Sequence, residues 1–169
     1  MSITVTKASN GVVHKDVLEG IISTGKLTPE FEKELFTLAA QENPGSAAKD
    51  RSYSPYSNFR VGAALIAKSG NIYLGGNVEN ASYGATRCAE QTAFQKAISE
   101  GERRFLAVGV ATDTDAFISP CGVCRQFMVE YGKGLLVYNF KPDGTFKKYT
   151  LQELLPDSFG PEDLDRPRD

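Results

Sequence analysis

Cys88, Glu90, Cys121 and Cys124 are the residues whose types and spacing can do chemistry. Cys88-Ala89-Glu90 and Pro120-Cys121-Gly122-Val123-Cys124 stand 33 residues apart, each at the expected start of a helix. A C-x-x-C pair at a helix N-terminus has two ordinary uses. One is a redox pair whose thiolate the helix dipole stabilises. The other is half of a zinc site, since soft thiolates and tetrahedral geometry suit that metal. The pair by itself leaves the two uses evenly matched. A third cysteine favours the metal, because a redox pair has no need of it. Three protein ligands rather than four leave a position for water, as in a catalytic rather than a structural zinc site. Glu90, two residues after Cys88, then falls near the open position without being required as a ligand. The plainer alternative, three cysteines buried in a core, gives no reason for this spacing.

The composition narrows the classes. A chain of 169 residues has the length of one domain. At 41% hydrophobic and 24% charged it can bury an ordinary core. Nineteen Lys and Arg against 21 Asp and Glu leave a net charge of −2. That balance argues against gripping nucleic acid or an anionic membrane through a basic surface. An odd set of three cysteines supplies no disulfide framework and suits a reducing compartment. Met1 to Asn10 builds no apolar signal region, and no apolar run reaches the roughly 18–20 residues of a membrane span. The Asn80-Ala81-Ser82 sequon reads as chance in that setting. The expected location is cytoplasmic, with access to the nucleus.

The elements that must position the cysteines follow from periodicity and punctuation. Residues 1–26 read as an N-terminal extension in which Val13, Val17 and Ile21 recur at helical spacing; its lone His14 reads as a surface residue. Residues 27–169 read as a single domain with a polar C-terminal tail. Thr28-Pro29 is an N-cap with Pro at the first helical position, and Phe31, Leu35, Leu38 and Ala39 share a face of the helix that follows. That helix should stop near Asn43-Pro44-Gly45. After a Ser- and Tyr-rich loop, Val61 to Ala67 and Ile72 to Leu74 form a hairpin. Cys88 to Glu100 is a helix with Gly101 at its C-terminal end; Phe105 to Thr112 is a strand, Cys121 to Tyr131 a helix and Leu135 to Asn139 a strand. Helical crossovers favour parallel pairing. The tight Lys141-Pro142-Asp143-Gly144 turn forces Thr145 to Thr150 antiparallel to the strand before it. The expected architecture is α/β: a mixed five-stranded sheet in a three-layer α/β/α sandwich.

C-x-E followed by P-C-x-x-C is the three-cysteine form of the zinc nucleobase deaminase signature. The sequence resembles the cytidine deaminases of the small, free-nucleoside class from about Leu27 to its tail. The resemblance is carried by Tyr53-Ser54-Pro55-Tyr56-Ser57-Asn58-Phe59, Gly76-Asn77-Val78-Glu79-Asn80-Ala81-Ser82-Tyr83, the two cysteine motifs with Ser119 to Gln126, and Leu154 to Leu164. It implies a homotetramer that converts cytidine and deoxycytidine to uridine and deoxyuridine. One Zn2+ per subunit would be held by Cys88, Cys121 and Cys124, with water as fourth ligand. Glu90 would take a proton from that water, pass it to N3 of cytosine and return one to the leaving amino group. The resemblance also implies that Asn77 and Glu79 hold the ribose hydroxyls, that Phe59 packs on the base and that the Ala89 backbone meets its polar edge. Tyr83 and Phe159 are expected to reach a neighbouring subunit's site. In isolation Phe59 reads as core, and Asn77 and Glu79 as a polar turn.

One position departs from the pattern. The family commonly has Arg directly after the catalytic Glu, and here Gln91 stands there. Three thiolates on Zn2+ leave a formal charge of −1, which the usual Arg offsets by hydrogen bonding to sulfur. Arg125 and Arg87 are the cationic candidates to compensate. The rival readings are a polynucleotide-editing deaminase, which would need an electropositive track that the composition does not provide; another nucleobase deaminase; a zinc-stabilised binding module; and a thiol oxidoreductase.

Overall fold

The computed structural model describes residues 15–40, 47–165 and 167. Alternation along the strands sorts their side chains onto two faces. In β1 (Val61–Ala67), Ala64 and Ile66 point to one core while Ala63, Leu65 and Ala67 point to the other. In β4 (Leu136–Phe140), Leu136, Tyr138 and Phe140 face the first core and Val137 the second. Strands buried on both faces must be covered on both. Helices α1 (Lys15–Thr24) and α2 (Pro29–Ala40) supply Leu18, Ile21, Phe31, Leu35 and Ala39 to the first core. Helices α3 (Ala89–Ser99) and α4 (Gly122–Val129) supply Ala93, Phe94, Ala97, Cys124 and Met128 to the second. The result is the expected three-layer α/β/α sandwich.

The sheet has five strands in the order β2-β1-β3-β4-β5, with β2 at Ile72–Gly76, β3 at Phe105–Thr112 and β5 at Phe146–Thr150. The β1–β2 hairpin is antiparallel, β3 and β4 are parallel across α4, and β4 and β5 are antiparallel. The last pair follows from its turn: Gly144 adopts φ +84° and its N–H donates to the Lys141 carbonyl. The other helical crossover departs from the expectation of parallel neighbours. Strands β2 and β3, joined through α3, are separated by β1, which pairs antiparallel with both. The hairpin commits β2 to the sheet edge, so α3 must cross over β1 to reach β3.

Element limits shift by a residue or two. β2 runs on to Gly76, α3 ends at Ser99, α4 at Val129, and β4 starts at Leu136. Two short helices, α5 (Leu151–Leu154) and α6 (Pro161–Leu164), occupy the stretch read as tail. Thr150 starts α5 with a capping box to Glu153. Thr28 caps α2 through the Phe31 N–H. Val13, His14 and the Asn43-Pro44-Gly45 stop lie outside the described residues, while Leu18 and Ile21 show that the C-terminal part of the expected extension packs into the domain.

Candidate functional site

The two cysteine motifs meet because two helices begin at the same place. Cys88 and Cys121 are the N-caps of α3 and α4, both extended, with φ/ψ of −68°/157° and −66°/167°. Neither side chain caps its own helix, so each sulfur is free to face the other. Cys124, on the first turn of α4, is buried beneath them. Helix α3 reaches this position because it lies directly on β2: a Cβ at Gly75 would fall 2.4 Å from the Ala89 carbonyl oxygen.

The three sulfurs lie within 4.8 Å of one another, and Cys88 Sγ is 3.9 Å from Cys121 Sγ. Tetrahedral zinc with Zn–S near 2.3 Å needs thiolates about 3.8 Å apart, so the spacing and the soft donors fit that ion. No disulfide joins them. Cys88 and Cys121 sit at two helix N-termini, whose dipoles favour negative charge there. A hydrogen bond from Cys124 pulls the Cys88 thiol down to about 7, against burial and the Glu90 charge, with further help from Cys121 and Arg87. Cys124 is pushed up by its hydrogen bond to Cys88 and by burial.

Glu90 is 4% exposed. Burial raises its carboxyl pKa, while its own backbone and the Cys124 thiol work in the opposite direction. Such a group exchanges a proton more readily near neutrality than an exposed glutamate does.

A cavity of about 410 Å³ opens onto Cys88, Glu90 and Cys121 and continues to Phe59, Asn77 and Glu79. That volume suits a small organic ligand. Thus the structure gathers six of the sequence-predicted residues into one hollow. Asn77 and Glu79 are also tied to the loop before β1. Asn77 Oδ1 accepts from Ser52 Oγ and from the Val61 N–H at 2.9 Å, and its Nδ2 donates to the Phe59 carbonyl at 2.8 Å. Glu79 accepts from the Tyr56 N–H at 2.9 Å, the Ser57 N–H at 3.2 Å and Ser57 Oγ. The Ser57 hydrogen bond, foremost, holds its carboxyl below the usual range, so it is ionised at neutral pH. Ser57 Oγ also accepts from the Phe59 N–H, and Asn58 between them adopts φ 55°, a conformation that Asn tolerates.

Other predicted residues sit elsewhere. Ala89 is fully buried between two lining residues, and Gln91 is buried on the next position of α3. Tyr83 and Phe159 are 72% and 59% exposed and do not line the cavity. Tyr83 packs on Tyr56, and the Phe159 carbonyl accepts from Gln126. Arg125 differs from its expected place at a sulfur. Its Nε, Nη1 and Nη2 donate to the Pro120 carbonyl, the Leu154 carbonyl and Ser119 Oγ, so it braces the loop that delivers Cys121. Arg87 is the cation whose charge reaches Cys88. The remaining lining residues, Ser57, Val61, Thr86, Val110, Ile118 and Ser119, were not singled out from the sequence. Ser57 and Ser119 belong to the motifs that carry the resemblance; Val110 and Ile118 carry only the signal of ordinary apolar residues. A larger hollow of about 670 Å³, beside Phe36, Phe140 and Phe146, shares no residue with the thiol site.

Comparison with known proteins agrees with this geometry. The model of the cytidine and deoxycytidylate deaminase zinc-binding region matches residues 40–139. A cytidine deaminase of Sporosarcina psychrophila is 48% identical over 118 residues, 69% of this chain and 87% of that protein. A probable cytidine deaminase of Dictyostelium discoideum is 52% identical over 113 residues, 66% of this chain and 76% of that protein. The crystal structure of cytidine deaminase from Burkholderia pseudomallei superposes with a TM-score of 0.68 at 40% identity, covering 79% of this chain and 100% of that one.

Proposed function

The chain belongs to the cytidine and deoxycytidylate deaminase zinc-binding family, and from that premise we propose that it hydrolyses the C4 amino group of free cytidine and deoxycytidine, releasing ammonia. The observation that carries the reading is the single cavity with a buried carboxyl among thiols at one end and ribose-type partners at the other. Cys88, Cys121 and Cys124 would hold zinc. When bound, zinc would supply the Lewis acid that makes water a nucleophile toward C4.

The chain's own residues do the rest. Glu90 takes a proton from the attacking water and delivers it to N3. It then carries the second proton to the C4 nitrogen, the C–N bond breaks, and ammonia leaves as the C4 carbonyl forms. Its burial, which favours the neutral acid, suits a group that must hold a proton between the two transfers. Phe59 offers a flat apolar wall to the pyrimidine. Asn77 has one N–H left, and Glu79 has one of about four acceptor positions left, for the sugar hydroxyls.

The charge of the lining favours a nucleoside over a nucleotide. Glu79 and Glu90 are its ionisable carboxyls, and no Lys or Arg lines it. A phosphate on the sugar would meet the ionised Glu79 with no Lys or Arg in the lining to offset it. Purified protein should convert cytidine to uridine with equimolar ammonia, carry about one zinc per chain, and turn over deoxycytidine in preference to deoxycytidylate. Zinc without turnover would support a binding module instead, and preference for the phosphate would overturn the nucleoside reading.

The working unit in this reading is a homotetramer, supported by the exposed Tyr83 and Phe159, which a neighbour would bring to its own cavity. Its mass in solution, with activity followed on dilution, tests this. A thiolate site needs a reducing compartment, which supports pyrimidine salvage in the cytoplasm with access to the nucleus; imaging of the tagged protein in its cell checks the location. No helix among the described residues is long and apolar enough to cross a membrane.

A further inference from the structure

We propose that Arg60 and Asp113 form a positioning clamp that fixes Phe59 against the substrate base. The inference rests on the reading of Phe59 as the residue that contacts that base.

Two loops contribute to the cavity and meet at one carboxylate. Arg60 follows Phe59 directly and leads into β1. Asp113 follows the last residue of β3 and opens the loop that runs to Ile118, Ser119 and Cys121, all of which line the cavity. Arg60 Nε is 2.8 Å from Asp113 Oδ2 and its Nη2 is 3.0 Å from Oδ1, a forked pairing. Lys49 Nζ, buried below them, reaches the same Oδ1 at 2.7 Å. Arg60 Nη1 lies 3.5 Å from Asp50, beside Lys49 in the turn before the Phe59 loop.

A fork fixes orientation as well as distance, which a point charge does not. Phe59 is therefore held on two sides: its carbonyl by Asn77 Nδ2, and the peptide that follows it by Arg60. The Arg60 side chain is 41% exposed, as is that of Asp113. An exposed pair contributes little to global stability. Its value then lies in where it puts Phe59, since a displaced apolar wall holds the base less tightly and raises KM.

The test is kinetic and uses the zinc-loaded protein. Arg60→Gln should raise KM for cytidine about tenfold, with kcat and zinc content unchanged and Tm within about 2 °C. Arg60→Lys should raise KM nearly as much, because ammonium cannot fork. In a Phe59→Ala background, Arg60→Gln should add nothing. A KM unchanged in Arg60→Gln, a Lys variant matching the parent, or additive effects in the double variant would overturn the clamp. If Phe59→Ala itself leaves KM unchanged, the placement of the base is what fails.

Discussion

At the scale of single residues, Glu90 is the proposed proton carrier, and Asn77, proposed to hold the sugar, also ties the Phe59 loop to the start of β1. Glu90 is buried beside three thiols, where its proton affinity is raised by loss of water. Glu90→Gln keeps the shape and removes the proton carrier. We expect kcat to fall by about 10²–10⁴-fold, with zinc content and the melting profile retained; activity within tenfold of the parent in a zinc-loaded variant would remove Glu90 from the mechanism. Gln91 brings no charge to the helix start where the family commonly has Arg, and the Arg125 hydrogen bonds go to the Pro120 and Leu154 carbonyls and Ser119 rather than to a sulfur.

At the scale of elements, the site exists because α3 and α4 start side by side at one end of the sheet. The approach of α3 to β2 depends on a residue without a side chain. Gly75→Ala would drive a methyl into the Ala89 carbonyl and the Ala93 amide, at 2.4 and 2.5 Å. We expect a loss of about 1–3 kcal/mol from overpacking, read from urea unfolding, together with weaker zinc retention as Cys88 is displaced; an unchanged midpoint would refute the close fit. A second joint between elements is Lys49–Asp113–Arg60. Burial works against the Asp113 carboxylate, but hydrogen bonds and charge from Arg60 and Lys49 outweigh it and hold its pKa below the ordinary value. A folded pKa below the unfolded one stabilises the fold above about pH 4, the unfolded value, and the contribution is lost as pH falls through the folded value. The stability gap between parent and Asp113→Asn should therefore be full at pH 7 and narrow below about pH 4; a gap that stays constant to pH 2.5 would show that the charge contributes nothing.

At the scale of the molecule, two cores flank one sheet, and neither is built on the metal. Phe94 packs on Phe105, Phe127 and Tyr131, and Phe140 on Phe36, Tyr138 and Phe146, far more apolar material than the three sulfurs provide. Chelation should abolish turnover while the far-UV circular dichroism and a cooperative melt persist. Collapse of the helical signal on chelation would instead make the zinc structural. Tyr83 and Phe159 are exposed aromatic residues that the proposed oligomer would cover.

Periodicity and punctuation in the sequence determined the five strands, the main helices and the order of the cysteine motifs, because these depend on local pattern and on residue types that few other chemistries use. Helix ends moved by a turn or less, since the terminal residues of a helix are decided by packing and capping rather than by pattern. The short α5 and α6 were hidden in polar sequence too brief for periodicity. Tertiary structure alone decided that β1 separates β2 from β3, a choice between neighbours that no local signal encodes. It alone showed that Cys88 and Cys121 face each other, because two N-caps 33 residues apart meet only when the sheet sets their helices side by side. And it alone paired Arg60 with Asp113, since ion pairs between distant loops depend on the path of the chain in space.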